Sequence, residues 1–179
     1  MMRAYTILVC LFICGSSVAQ KPATWFVEPG IHLSADAELV YLFPSFMLGG
    51  GFQVSERSDV TAGYTFFYAR IKGPETFRTH TLQLVPHYYF QNVFDPAKGL
   101  YIGLGGAWQN RKQTPEELMV SEPSYWAGVL NIGYRFPVTI NERQRMAKID
   151  LQAIGPYIEK EEDYVEGITQ IMLGIKLRF

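Results

Sequence analysis

The sequence predicts an all-β chain of eight antiparallel strands that follow one another up and down and close into a barrel. Three observations carry that expectation. About eight runs alternate apolar and polar side chains with a period of two, the repeat of a strand that is oily on one face only. The composition is rich in rings, with 12 Phe, 11 Tyr and 3 Trp among 179 residues, and in glycine, with 16, which suits strands and turns better than helices. No long helical pattern, low-complexity tract or linker interrupts the meander, so the length reads as one domain.

The last run shows the pattern best. In Gly167 to Phe179, one set is Thr169, Ile171, Leu173, Ile175, Leu177 and Phe179; the other is Gln170, Met172, Gly174, Lys176 and Arg178. This stretch resembles the closing strand of small bacterial outer-membrane β-barrel proteins, eight-stranded and OmpA/OmpX-like or of Bacteroidetes type, with Gly174, Leu177 and Phe179 at the offsets of the family's terminal signal. Met172 departs from the pattern, standing where the family usually has a polar residue. The resemblance implies a bacterial outer-membrane location with both termini periplasmic. It also implies that the barrel-assembly machinery reads Gly174, Leu177 and Phe179.

The first residues read as a cleavable signal peptide, residues 1–19, leaving 20–179 as the barrel domain. Arg3 supplies a basic start, Ile7 to Ile13 is apolar, and Ser17-Val18-Ala19 is a small-residue exit. A lipoprotein reading at Cys14 is opposed by Ile13, which occupies a position where a small residue is expected. Cys10 and Cys14 both fall inside the leader, so the mature chain carries neither a disulfide framework nor a cysteine metal site. Without Arg3, 15 basic residues face 17 acidic ones, a net charge of −2 that argues against nucleic-acid binding. No stretch of the mature chain approaches the roughly 20 apolar residues of a membrane helix.

Taken in order, the first run is Trp25 to Leu33, with Trp25, Val27, Pro29, Ile31 and Leu33 opposed to Glu28, Gly30, His32 and Ser34. Phe43 to Val54 sets Phe46, Leu48 and Phe52 against Ser45, Met47, Gly49 and Gln53, and Ser55 to Asp59 reads as a polar turn. Val60 to Ile71 puts Tyr64, Phe66 and Tyr68 opposite Thr61, Gly63 and Thr65. Thr79 to Phe90 opposes Leu82, Leu84, Tyr88 and Phe90 to Thr81, Gln83, His87 and Tyr89. Leu100 to Gln109 separates Leu104 and Trp108 from Tyr101, Gly103 and Gly105; Arg111 to Pro123 then reads as the longest polar connection. Tyr125 to Phe136 and Ala147 to Ile158 complete the set around a turn expected over Pro137 to Met146. Asn131, Arg135, Lys148, Asp150 and Gln152 lie on the polar side of these two runs.

A lipocalin-like carrier, soluble and secreted, would show the same alternation, so the period cannot choose between water and lipid. The rings can. Trp25, Tyr134, Phe136 and Phe179 fall on the apolar face near one rim; Trp108, Trp126 and Tyr157 fall on it near the other, on either side of a leucine-rich middle. Two such belts match the aromatic girdles at membrane interfaces. The expectation is therefore an eight-stranded antiparallel up-and-down transmembrane β-barrel. Its lumen should hold a polar network of Glu28, His32, Gln83, His87, Arg135, Lys148, Asp150, Lys176 and Arg178. Glu28 and Arg178 should meet, because barrel closure pairs the first strand with the last and an unpaired luminal charge is costly to desolvate.

Chemistry is sparse by comparison. His32, Ser34 and Glu28 share a strand face, but residues two and four apart lie roughly 6.6 and 13 Å apart, too far for a relay. His80 is the histidine on the apolar face near the outer rim, where some outer-membrane lipid-A enzymes act, but no serine stands beside it. The acidic run Glu159 to Asp163 lacks the spaced oxygens and glycine of a calcium loop. No catalytic residue, cofactor or metal is expected. An eight-stranded barrel is filled by its own side chains, which excludes a general porin. The expected role is structural, adhesive or partner-binding, as a monomer among outer-membrane lipid and lipopolysaccharide, with a lipid-A acyl hydrolase or transferase as the alternative.

Overall fold

The computed structural model describes residues 24–36, 42–70, 76–90, 98–114, 124–155 and 170–179. The expected leader, Tyr157 and the acidic run 159–163 lie outside them. The strands are β1 (Thr24–Asp36), β2 (Leu42–Ser55), β3 (Ser58–Arg70), β4 (Thr76–Tyr89), β5 (Gly99–Thr114), β6 (Ser124–Ile140), β7 (Arg143–Ile154) and β8 (Gln170–Arg178). Each pairs antiparallel with the next, and β8 returns to β1, so the sheet closes into a barrel. Along the seam, Gly30 faces Lys176 and Asp36 faces Gln170. Reciprocal backbone bonds between Val27 and Phe179, 3.2 and 2.9 Å, extend the seam to the rim. Closure removes the unpaired edges that an open sheet would present.

The alternation sets which face each side chain takes. Trp25, Ile31, Leu48, Leu104, Leu151 and Ile175 are exposed on the outer wall. Glu28, His32, Gln83, Asn131, Lys148, Asp150 and Lys176 are buried within. Both ends of the described chain share one rim, the near rim, with two two-residue turns, Glu56-Arg57 and Asn141-Glu142. At the far end a ring cluster of Phe67 and Phe77, with Phe43 against it, fills the lumen.

Three expected boundaries are corrected. Ser58 and Asp59 belong to β3 and not to the preceding turn, with the pairing shifting register at Val54 between Gln53 and Ser55. Arg111 to Thr114, expected in a connection, extend β5, paired with Thr76 to Thr79 of β4. Most of the expected turn Pro137 to Met146 is strand. Only Asn141 and Glu142 turn, at φ of 49° and 63°, the left-handed pair of a type I′ hairpin. That hairpin outruns its neighbours, since β5 reaches only to Arg135 of β6 and β8 pairs no further than Met146 of β7. Its tip residues, Thr139 to Gln144, are all exposed, so the apolar-polar alternation that marks a strand elsewhere is lost there.

Candidate functional site

The lumen is built by laying large polar side chains of one strand over glycines of the next. A Cβ added to Gly174 would lie 1.6 Å from His32 Cδ2, one at Gly103 2.4 Å from His87 Cδ2, and one at Gly133 2.6 Å from Tyr101 Cζ. All are far inside contact distance, so each glycine is the seat of one ring. Gly174 was singled out in the sequence as part of a terminal signal; its place in the barrel adds a local packing reason.

Near the termini, the network centres on two carboxylates. Arg178 Nε donates to Glu28 Oε1 at 3.1 Å, joining the first strand to the last. Lys148 Nζ lies 2.9 and 3.2 Å from the two Glu28 oxygens. Asp59 accepts from Arg178 Nη2 and, at 2.5 Å, from Tyr89 Oη. His87 Nδ1 is 2.9 Å from the other Asp59 oxygen. The Arg135 guanidinium lies 4.1 Å from the centre of the Tyr89 ring, and Lys148 Nζ lies 5.2 Å from that of Tyr101. Two acids and two basic side chains thus interlock where the lumen meets the rim, and aromatic rings lie over the basic groups.

One level further in, Asp150 Oδ2 accepts from Lys176 Nζ at 2.5 Å and from Asn131 Nδ2 at 3.0 Å, with His32 Nε2 at 3.6 Å from its other oxygen. Above this, Gln152 Nε2 donates to Gln83 Oε1, and Gln109 Nε2 donates to Thr81 Oγ1 and Gln170 Oε1 at 3.1 and 2.9 Å. The buried carboxylates Glu28, Asp59 and Asp150 are matched by Lys148, Lys176 and Arg178. Such pairs hold geometry more than they add net stability, because desolvating the charges offsets most of the attraction.

All nine residues expected in the lumen face it. Asp59, Tyr89 and Tyr101 were not in that expected network, although Asp59 meets three of its members, His87, Lys148 and Arg178. Carrying the Val60–Thr61 alternation back one residue is the signal that places Asp59 inward. Of the expected interface aromatics, Trp25, Trp126, Tyr134 and Phe179 are exposed on the outer wall; Trp108 and Phe136 are half-buried there. Trp108 faces Trp126 across β5 and β6, and Tyr134 stacks near Phe136 at 6.4 Å. Leu177 and Phe179 also lie on the outer wall at the seam.

The histidines carry no nucleophile. His80, on the outer wall, shares a 2.6 Å hydrogen bond with Tyr64 Oη and packs against Phe66. His87 binds Asp59, and among the described residues neither ring nitrogen of the buried His32 has a hydrogen-bond partner. Ser34 Oγ pairs with Ser45 Oγ at 2.6 Å. Among the described residues, no three or more His, Cys, Asp or Glu side chains are grouped to hold a metal ion.

These features define a small closed barrel of eight antiparallel strands with a side-chain-filled lumen. No protein-family model matches the chain, and no curated protein matches it by sequence. Among solved structures, the chain is similar to Neisserial surface protein A, at 13% identity and a TM-score of 0.65 over 88% of this chain and 98% of that one. It is also similar to the N-terminal β-barrel domain of OprF from Pseudomonas aeruginosa, at 14% identity and a TM-score of 0.55 over 88% and 100%. At such identities the likeness is one of fold.

Proposed function

We propose that the protein is an integral outer-membrane barrel with a structural or partner-binding role. The observation that carries this reading is the sidedness of the wall. Trp25 is 76% exposed, Phe46 62%, Leu48 61% and Ile175 60%, around the same sheet whose inner face buries Lys148 and Asp150 at 1%. Water-soluble monomers rarely expose contiguous apolar patches beyond a few hundred Å². Here exposed apolar side chains occur on every strand, an arrangement that a hydrocarbon solvent favours. Two of the three connections on the rim shared by Thr24 and Phe179 are two-residue turns, and the longest connection, between Ile154 and Gln170, leaves from the opposite rim, which fits termini on the periplasmic side.

The interlocked charges and the ring cluster at opposite ends of the lumen support a filled barrel over a diffusion pore. Among the described residues no histidine hydrogen-bonds a serine, although Ser45 faces His32 across β1 and β2, so the lipid-A enzyme reading has no hydrogen-bonded nucleophile–base pair to rest on. The C-terminal strand, with Gly174, Leu177 and Phe179, is the segment proposed to meet the assembly machinery. The test is to express the full chain in a Gram-negative host, fractionate its membranes, and compare gel mobility with and without boiling. Recovery with outer membranes and a heat-dependent mobility shift are expected. Recovery in the aqueous fraction without a shift overturns the reading.

A further inference from the structure

The outer wall is not uniformly studded. Near the terminal rim it opens into a groove of about 450 Å³, lined by Trp25, Val27, Phe52 and Phe179 at the sides and by Gly50 and Ala62 at the floor. Gly50 and Ala62 face each other across β2 and β3, so a patch without bulk lies between Val27 and Leu84, their partners on either side. Trp25 and Phe52 meet edge to face at 5.5 Å and form one bank. Phe179 forms part of the other.

Phe179 links the groove to a cation. The Arg145 guanidinium lies 5.1 Å from the centre of the Phe179 ring. It sits on the projecting β6–β7 hairpin, one pair beyond the Met146–Arg178 register and therefore on the outer face. Among the described residues Arg145 takes part in no ion pair, unlike Lys148, Lys176 and Arg178 inside the barrel. An apolar slot bounded by Phe179, with an arginine over the ring of that same residue, has the chemistry to hold a phospholipid. The slot takes an acyl chain and the guanidinium takes the phosphate.

We infer that this groove, with Arg145 at its head, binds one phospholipid of the periplasmic leaflet, its acyl chain over Gly50 and Ala62. The inference rests on the membrane reading above. It commits to a lipid, as opposed to a second copy of the chain, because the apolar groove is flanked by a cation that forms no ion pair among the described residues. A membrane phosphate supplies the missing charge.

Two substitutions test it with little risk to the fold. A Cβ at Gly50 would meet nothing nearer than Phe26 O at 3.4 Å, so Gly50→Leu fills the slot without striking backbone. Arg145→Gln removes the charge from the half-buried outer face of the hairpin, and Arg145→Lys keeps it. Each form is folded into vesicles of phosphatidylglycerol and phosphatidylcholine, extracted gently, and weighed by native mass spectrometry, with the gel-mobility shift recorded on the same samples. The expected result is one retained phosphatidylglycerol per wild-type barrel, with the retained fraction lowered about tenfold in Gly50→Leu and in Arg145→Gln and largely kept in Arg145→Lys. Folded variants that retain lipid as the wild type does overturn the inference. So does a wild-type dimer that Gly50→Leu converts to monomer. A wild-type chain that fails to fold into vesicles overturns the membrane reading itself, and the mobility shift separates that outcome from the others.

Discussion

Asp59 offers the sharpest test of how the lumen is held. It lies at 0% exposure and contacts Arg178, Tyr89 and His87, with Lys148 Nζ 3.9 Å away. Asp59→Ala leaves Glu28 as the remaining carboxylate for both Lys148 and Arg178, and strips the partner from the Tyr89 hydroxyl. Breaking a buried pair from one side costs about 3–5 kcal/mol, because a charge is left dry and uncompensated. The Arg178 side chain keeps 13% exposure and can reach water at the rim, which places the expected loss at the lower end, about 3 kcal/mol. Urea unfolding in vesicles, followed by tryptophan fluorescence, measures it. Paired with Arg178→Met, a double-mutant cycle should return a coupling of about 1–3 kcal/mol between the two sites. A loss below about 1 kcal/mol, the range of a surface pair, would refute the claim that Asp59 is the anchor of the network.

The remaining predictions follow from packing, solvent and turn geometry. Gly174→Ala should destabilise the barrel by about 2 kcal/mol or more through overpacking against His32, and His32→Ala in the same chain should recover most of it in the same urea assay. Leu48→Arg on the mid-wall should cost about 2–4 kcal/mol in vesicles if the wall faces hydrocarbon. A wall facing water would give a change within about 0.5 kcal/mol in that measurement. Glu142→Gly should stabilise the hairpin by about 1 kcal/mol, since Glu142 sits at a φ of 63° that costs an L-residue and suits glycine; thermal unfolding reads the shift.

Facing was legible residue by residue. Side-chain direction along a strand is a local property with period two, so Lys176 and Leu177, or Asp150 and Leu151, could be assigned opposite environments before any tertiary contact was known. The meeting of Glu28 with Arg178 was legible for a second reason: closing the meander leaves the first and last strands no other partner. Strand ends were less legible. The Asn141–Glu142 hairpin stands clear of its neighbours, and a ribbon wet on both faces carries no alternation. Asp59 was missed because acidic and serine residues around it read as a turn.

By itself, the sequence determined that the chain is a one-sided β meander, which residues point to each face, and that the charged face needs internal partners. The tertiary structure decided which charges meet. Lys148 reaches Glu28 across 120 residues, and Asp59 gathers groups from β4 and β8, because the stagger of strands around a closed barrel sets the height of each side chain in the lumen. That stagger depends on all eight pairings together, and no single stretch of sequence contains it. The same holds for the groove beside Arg145. Gly50, Ala62 and Phe179 come to lie on one patch of wall only after three separate strands have been brought into register.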